Sequence, residues 1–152
     1  MKITIDFWEL VTIGIERIFK GSESEEKIIE LLGEPEIYTL ERKSYPTFMI
    51  YGCLEFRLRE NKLETVVITF NEEELNLPNR MVIENIPERQ MLKTDFIRKI
   101  LVDKGVKWTL DSIMSDEYQE NYISEKGVRF VFDLVESGVL SKIGIELNYK
   151  AK

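Results

Sequence analysis

Apolar positions along this chain recur in two periods, a helical one near 3.6 residues and an alternating one of two, and the same order of periods comes twice. Phe7, Leu10, Val11, Ile15 and Ile18 are spaced for one helical face interrupted by Gly14, which predicts a short helix followed by an irregular 15–21 segment. Ser22-Glu23-Ser24-Glu25 has the Ser-x-x-Glu form of a capping box. Ile28, Ile29, Leu31 and Leu32 then supply an apolar face, and Gly33 with Pro35 stops it, so a helix over about 22–32 is expected. From Glu36 the period becomes two. Ile37–Leu40, Thr47–Gly52, Leu54–Leu58 and Thr65–Phe70 read as strands of an antiparallel meander, with a hairpin turn at Arg59-Glu60-Asn61-Lys62.

Residues 71–91 break the pattern with Asn71-Glu72-Glu73-Glu74, Pro78 and Pro87, and read as a linker. The pattern then returns. Thr94 or Asp95 can cap a helix carrying Phe96, Ile97, Ile100 and Leu101, Lys104-Gly105 closes it, and Val106–Leu110 can form a strand. Gly127–Leu134 resembles Gly52–Leu58, with a short insertion around Glu136-Ser137-Gly138. Leu63, Val66, Ile68 and Phe70 fall without a gap on Leu140, Ile143, Ile145 and Leu147. The expected fold is α+β: two degenerate helix–antiparallel-sheet repeats, residues 1–76 and 90–150 joined by 77–89, sharing one core with their helices on one side of the sheet.

Composition removes several chemistries. Among 152 residues there is no His and one Cys, which excludes His-based triads and a disulfide framework and argues against zinc and iron–sulfur sites. No metal and no cofactor is expected. The formal charge is −7 and no basic stripe is present, so nucleic acid is a disfavoured partner. No stretch approaches the ~20 apolar residues of a membrane span. Acids at Asp6 and Glu9 interrupt what would be the apolar core of a secretory signal, and a cytoplasmic location is expected.

Ile28-Ile29-Glu30-Leu31-Leu32-Gly33-Glu34-Pro35, followed by Tyr51-Gly52-Cys53-Leu54-Glu55-Phe56 and Leu63–Phe70, resembles small bacterial α+β modules in which a helix ends in Leu-Gly-x-Pro and a β-hairpin returns. In tandem such modules resemble the architecture of the β-lactamase inhibitor protein. They are also similar to the small immunity proteins of bacterial polymorphic toxin systems. The resemblance implies a non-catalytic inhibitor that binds and blocks a toxin domain; the motif residues are fold punctuation, and no site residue comes with them.

The residues themselves offer weak catalytic candidates. Ser24-Glu25-Glu26-Lys27 has the Ser-x-x-Lys spacing of serine acyltransferases without its companion elements, and reads as a cap with an exposed helix face. The carboxylate runs Glu72-Glu73-Glu74 and Asp116-Glu117 read as solvated, and Cys53 reads as a buried structural thiol. An enzyme or ligand-binding alternative would place its pocket at the hairpins, around Tyr38, Tyr45, Tyr51, Arg57 and Glu55. An adaptor domain in a larger protein assembly is a third reading. Two surfaces suit a protein partner. Asp111–Glu125 holds Asp111, Asp116, Glu117, Glu120 and Glu125, no Lys or Arg, and Tyr118 and Tyr122; Asp116, Glu117, Tyr118, Glu120 and Tyr122 are the expected contacts with a basic toxin domain. The outward sheet face around Arg57, Val67 and Arg129 is the alternative.

Overall fold

A computed structural model describes residues 2–70 and 74–150, so Glu72 and Glu73 of the acidic run lie outside the described residues. The chain runs β1 (Ile3–Asp6), α1 (Phe7–Ile13), α2 (Glu25–Leu32), β2 (Ile37–Thr39), β3 (Thr47–Tyr51), β4 (Leu54–Arg59), β5 (Lys62–Thr69), β6 (Met81–Glu84), a 3-10 turn at Arg89–Met91, α3 (Thr94–Asp103), β7 (Trp108–Leu110), β8 (Gln119–Ser124), β9 (Val128–Asp133) and β10 (Val139–Glu146). Eight strands form one antiparallel sheet in the order β2-β3-β4-β5-β10-β9-β8-β7, while β1 and β6 pair in parallel beside it. The architecture is α+β.

Strict alternation builds the sheet. Met49, Tyr51, Leu54, Phe56, Leu58, Val66 and Ile68 are buried on one face, continued across β10 and β9 by Ile143, Ile145, Phe130 and Phe132. A one-residue slip would expose the whole set, so the register is strongly specified. Tight turns keep neighbouring strands antiparallel: Glu60 and Asn61 both take positive φ between β4 and β5, the two-residue turn whose twist suits a hairpin.

The helices meet this apolar face. Gly14, which ends α1, lies against Val128 and Ile145. Tyr51 on β3 donates its hydroxyl to the Gly33 carbonyl at the end of α2 (2.7 Å). On α3, Phe96 packs on Trp8 and Arg98 lies 5.9 Å from the Trp108 ring centre. Five phenylalanines, Phe7, Phe19, Phe56, Phe130 and Phe132, are fully buried in a cluster to which both halves contribute. Each such side chain stabilises the fold by about 1.5–3 kcal/mol relative to exposure.

Three local expectations are corrected. The cap of α2 is Ser24, whose Oγ accepts the Lys27 N–H (3.2 Å), not Ser22; Glu23 instead folds its carboxylate onto the N–H groups of Lys20, Gly21 and Ser22. Helix α3 begins after Lys93, with no side-chain cap, rather than after Thr94 or Asp95. The segment read as linker carries β6, with Met81 and Ile83 buried. Its partner β1 is far away in sequence, a pairing that local alternation over four residues does not reveal.

Candidate interaction surface at one corner of the sheet

β7 and β8 are joined by the 111–118 loop, and short polar side chains fix its course. Asp111 Oδ1 accepts the N–H groups of Ile113 (3.1 Å) and Met114 (3.2 Å), and Asp116 Oδ1 those of Tyr118 (2.7 Å) and Gln119 (3.0 Å). Ser115 Oγ accepts the Asn121 N–H (2.9 Å), and Gln119 donates to the Met114 carbonyl (3.0 Å). These are turn-forming roles that Asp, Ser and Asn fill because a short side chain can imitate a backbone bond. The chain leaving β9 comes alongside, its Leu134 N–H donating to the Tyr118 carbonyl (2.9 Å), and Asp133 repeats the device by accepting from Val135 and Glu136.

With the backbone braced, the apolar side chains of both loops point outward. Ile113 is 91% exposed, Val135 73%, Tyr118 61% and Met114 50%. Asp116, Glu117 and Glu136 are exposed among them. Asp116, Glu117 and Tyr118 are among the contacts expected from the sequence; Ile113, Met114, Val135 and Glu136 are not. Hydropathy alone marks Ile113, Met114 and Val135 as apolar residues inside a polar loop, yet only the fold brings 113–118 beside 134–136.

The other two expected contacts, Glu120 and Tyr122, lie on the helix-facing side of β8. Tyr122 is half-buried on the helix-facing side, stacked on Trp108 (ring centroids 4.3 Å, interplanar angle 18°) and edge-on to Phe132. It alternates into the core because it pairs with buried Phe130. Burial, then its bond to Glu120, pushes the Tyr122 phenol above its ordinary pKa. Glu120 accepts that hydroxyl (2.9 Å), so its carboxylate is engaged by the core ring.

Nor is the acidic segment without a cation in space. Arg129 reaches across the opposite sheet face to Asp111 Oδ2 (2.9 Å), Asn121 Oδ1 (2.6 Å) and Glu146 Oε1 (3.3 Å). The Arg129 guanidinium, followed by the Met114 N–H, holds the Asp111 carboxyl below its ordinary pKa. On the same face Arg57 pairs with Glu55 (2.6 Å) and lies 5.7 Å from the Phe48 ring centre, while Val67 is 9% exposed. These residues form an internally paired surface.

The hairpin residues of the enzyme reading do not converge. Tyr45 and Glu55 line one groove of about 430 Å³, but Tyr38 is bonded to Glu25 on α2 and Tyr51 to the end of that helix, both on the opposite face. Cys53 is half-buried against the core. A larger cleft of about 790 Å³ lies along β6, floored by Phe70, Met81, Ile83 and Leu92. At its rim Arg89 donates to the Phe70 carbonyl (3.1 Å) and Gln90 to Glu88 (2.7 Å). Among the described residues no group of three His, Cys, Asp or Glu could hold a metal ion, and no helix is long and apolar enough to cross a membrane. The chain matches no family model, no curated protein and no solved structure.

Proposed function

We propose that this protein is a cytosolic immunity-type inhibitor that docks on a basic toxin domain and blocks it without chemistry of its own. The observation that carries this reading is the acid-rimmed apolar corner, where Ile113, Met114, Tyr118 and Val135 stand exposed on loops held by hydrogen bonds. A rigid apolar centre within a charged rim is what a protein partner uses. Binding energy comes from a few desolvated anchors, while carboxylates raise the encounter rate with a basic surface. Pre-formed loops lower the ordering cost of association.

The two halves serve that role as degenerate copies, 1–76 and 90–150, of one helix-and-four-strand unit, α2 with β2–β5 and α3 with β7–β10, the first half carrying β1 and α1 in addition. The palindromic strand order favours this reading. In it the loops 40–46 and 111–118 occupy corresponding places at diagonally opposite corners. The first carries Arg42 and Lys43 beside Glu41, and the second Asp111, Asp116 and Glu117 with no base, so the loops differ in net charge.

Co-expression with the toxin domain encoded in the neighbouring reading frame tests the function. Survival of cells carrying this protein, together with association of the purified pair that weakens with salt, is the expected result. Death at an equal rate with and without it, and no association at low salt, would overturn the reading. Protection that persists when Ile113, Tyr118 and Val135 are all changed to Asp would keep the partner and reject this surface.

A further inference from the structure

We infer that the free edge of β2 is a self-association surface on which a second copy of this chain adds its own β2 in antiparallel register. β2 is a terminal strand of the sheet, paired only with β3, and its three residues are all exposed. Terminal strands of soluble proteins are ordinarily kept very short or shielded by lysine, proline, a bulge or a covering loop, because an open edge templates another strand, and β2 is short at three residues. Ile37-Tyr38-Thr39-Leu40 contains no charge and no proline, and Ile37 and Leu40 are 53% and 65% exposed.

Three features select a second copy as the occupant. First, the flanks of β2 are oppositely charged on balance: Glu34 and Glu36 precede it, while after it Arg42 and Lys43 outnumber Glu41, whose carboxylate accepts the Glu60 N–H (2.9 Å); Glu34, Glu36, Arg42 and Lys43 are exposed. An antiparallel mate reverses that order, so each acidic flank meets the basic flank of the other copy, as a two-fold interface of identical surfaces requires. Second, Tyr38 points to the helix side, where Glu25 holds it and raises its pKa to about 12, leaving Ile37 and Thr39 on the opposite face with their partners Ile50 and Phe48. Centring the pair on Tyr38 sets the mate's Ile37 beside Thr39. Third, Thr39, Leu40, Tyr45, Phe48 and Ile50 line the groove of about 430 Å³ at that place, and the mate's Ile37 would enter it. A three-residue strand with Leu40 beyond it is a small interface, so the dimer exchanges rapidly, with a Kd on the order of 100 µM.

Sedimentation velocity of the full chain over a concentration series tests this, with circular dichroism confirming that each variant is folded. The wild type should move from monomer towards dimer as concentration rises. Ile37→Lys, at a solvent-exposed position, should remain monomeric, as should each of the charge-reversed variants E34K/E36K and R42E/K43E alone. An equimolar mixture of the two reversed variants should associate again, because both flanks are then complementary. A wild type that stays monomeric to about 1 mM would overturn the inference. So would a dimer unaffected by Ile37→Lys, reversed variants whose mixture fails to associate, or dispersal by Ile113→Asp at the acidic corner, which would place the contact there.

Discussion

Val67 lies opposite Gly144 at the centre of the eight-stranded sheet, on the face turned away from the helices. The two are 77 positions apart, the same spacing that separates Leu63 from Leu140 and Ile68 from Ile145. Val67 and Gly144 thus meet at the middle of the sheet, and each has a charged residue as its outer neighbour: Glu55 pairs with Val67 and Arg129 with Gly144. One rung runs unbroken across the sheet through Ile37, Ile50, Glu55, Val67, Gly144, Arg129, Ile123 and Thr109. Opposite charges occupy matched places on either side of its centre, and each has a partner within its own half, Arg57 for Glu55 and Asp111 for Arg129.

That rung makes Gly144 replaceable, unlike Gly52. A Cβ on Gly144 would meet Arg129 Cβ at 3.7 Å and Val67 Cγ2 at 3.9 Å, ordinary contacts, and its φ is not positive. Gly144→Ala should be neutral or stabilising by up to about 1 kcal/mol, since it lowers the freedom of the unfolded chain. Gly52 has φ +61°, and its Cβ would fall 2.1 Å from the Asn76 carbonyl oxygen, a backbone atom. Gly52→Ala should destabilise by at least about 1 kcal/mol. Urea denaturation of both variants measures the difference, and equal midpoints would contradict the packing at the β3–β4 turn.

Alkaline titration should lower the protein's stability through its tyrosines. The Glu25 carboxylate beside Tyr38, and burial at Tyr51, each raise the phenol pKa from 10.0 to about 12. A raised acid pKa means that the folded state holds its proton more tightly than the unfolded state. The associated stability is complete below pH 10 and is lost between pH 10 and about 12. Stability against urea should therefore fall over that window, and Y38F/Y51F should flatten the fall while lowering stability at neutral pH through the lost hydroxyl contacts. An unchanged alkaline slope in the double variant would assign the loss to other groups.

Most of the sheet was legible because its signals are local. Alternation places Met49, Tyr51, Leu54, Phe56 and Leu58 on one face whatever the partners, and Glu60-Asn61 announces its own turn. What escaped depends on distant sequence. Ser22 and Ser24 both satisfy a capping pattern, and Asn61 on the β4–β5 turn decides between them by accepting the Glu25 N–H (2.9 Å). β6 is a strand because β1 lies beside it. At the candidate surface Asp116, Glu117 and Tyr118 were visible, whereas Tyr118 and Leu134 come together only when β8 and β9 are paired, and the same pairing turns Tyr122 inward.

The opposed placements of Tyr118 and Tyr122 separate binding from folding at this corner. Tyr118 is 61% exposed, its ring in solvent and only its backbone engaged, through the Asp116 carboxylate and Leu134. Tyr118→Ala should leave the urea midpoint unchanged to within about 0.5 kcal/mol and weaken partner binding by about 2 kcal/mol if the ring is a central anchor. Tyr122 stacks on Trp108 and touches Phe132, so Tyr122→Ala opens a cavity beside two aromatic rings and should destabilise the fold by about 2 kcal/mol. Its effect on binding should disappear once the unfolded fraction is accounted for. Calorimetric titration of the two folded variants against the proposed toxin partner, set beside their denaturation curves, distinguishes the roles. Binding lost in Tyr122→Ala but retained in Tyr118→Ala would move the contact from the exposed loop to the Trp108–Tyr122 edge of the sheet.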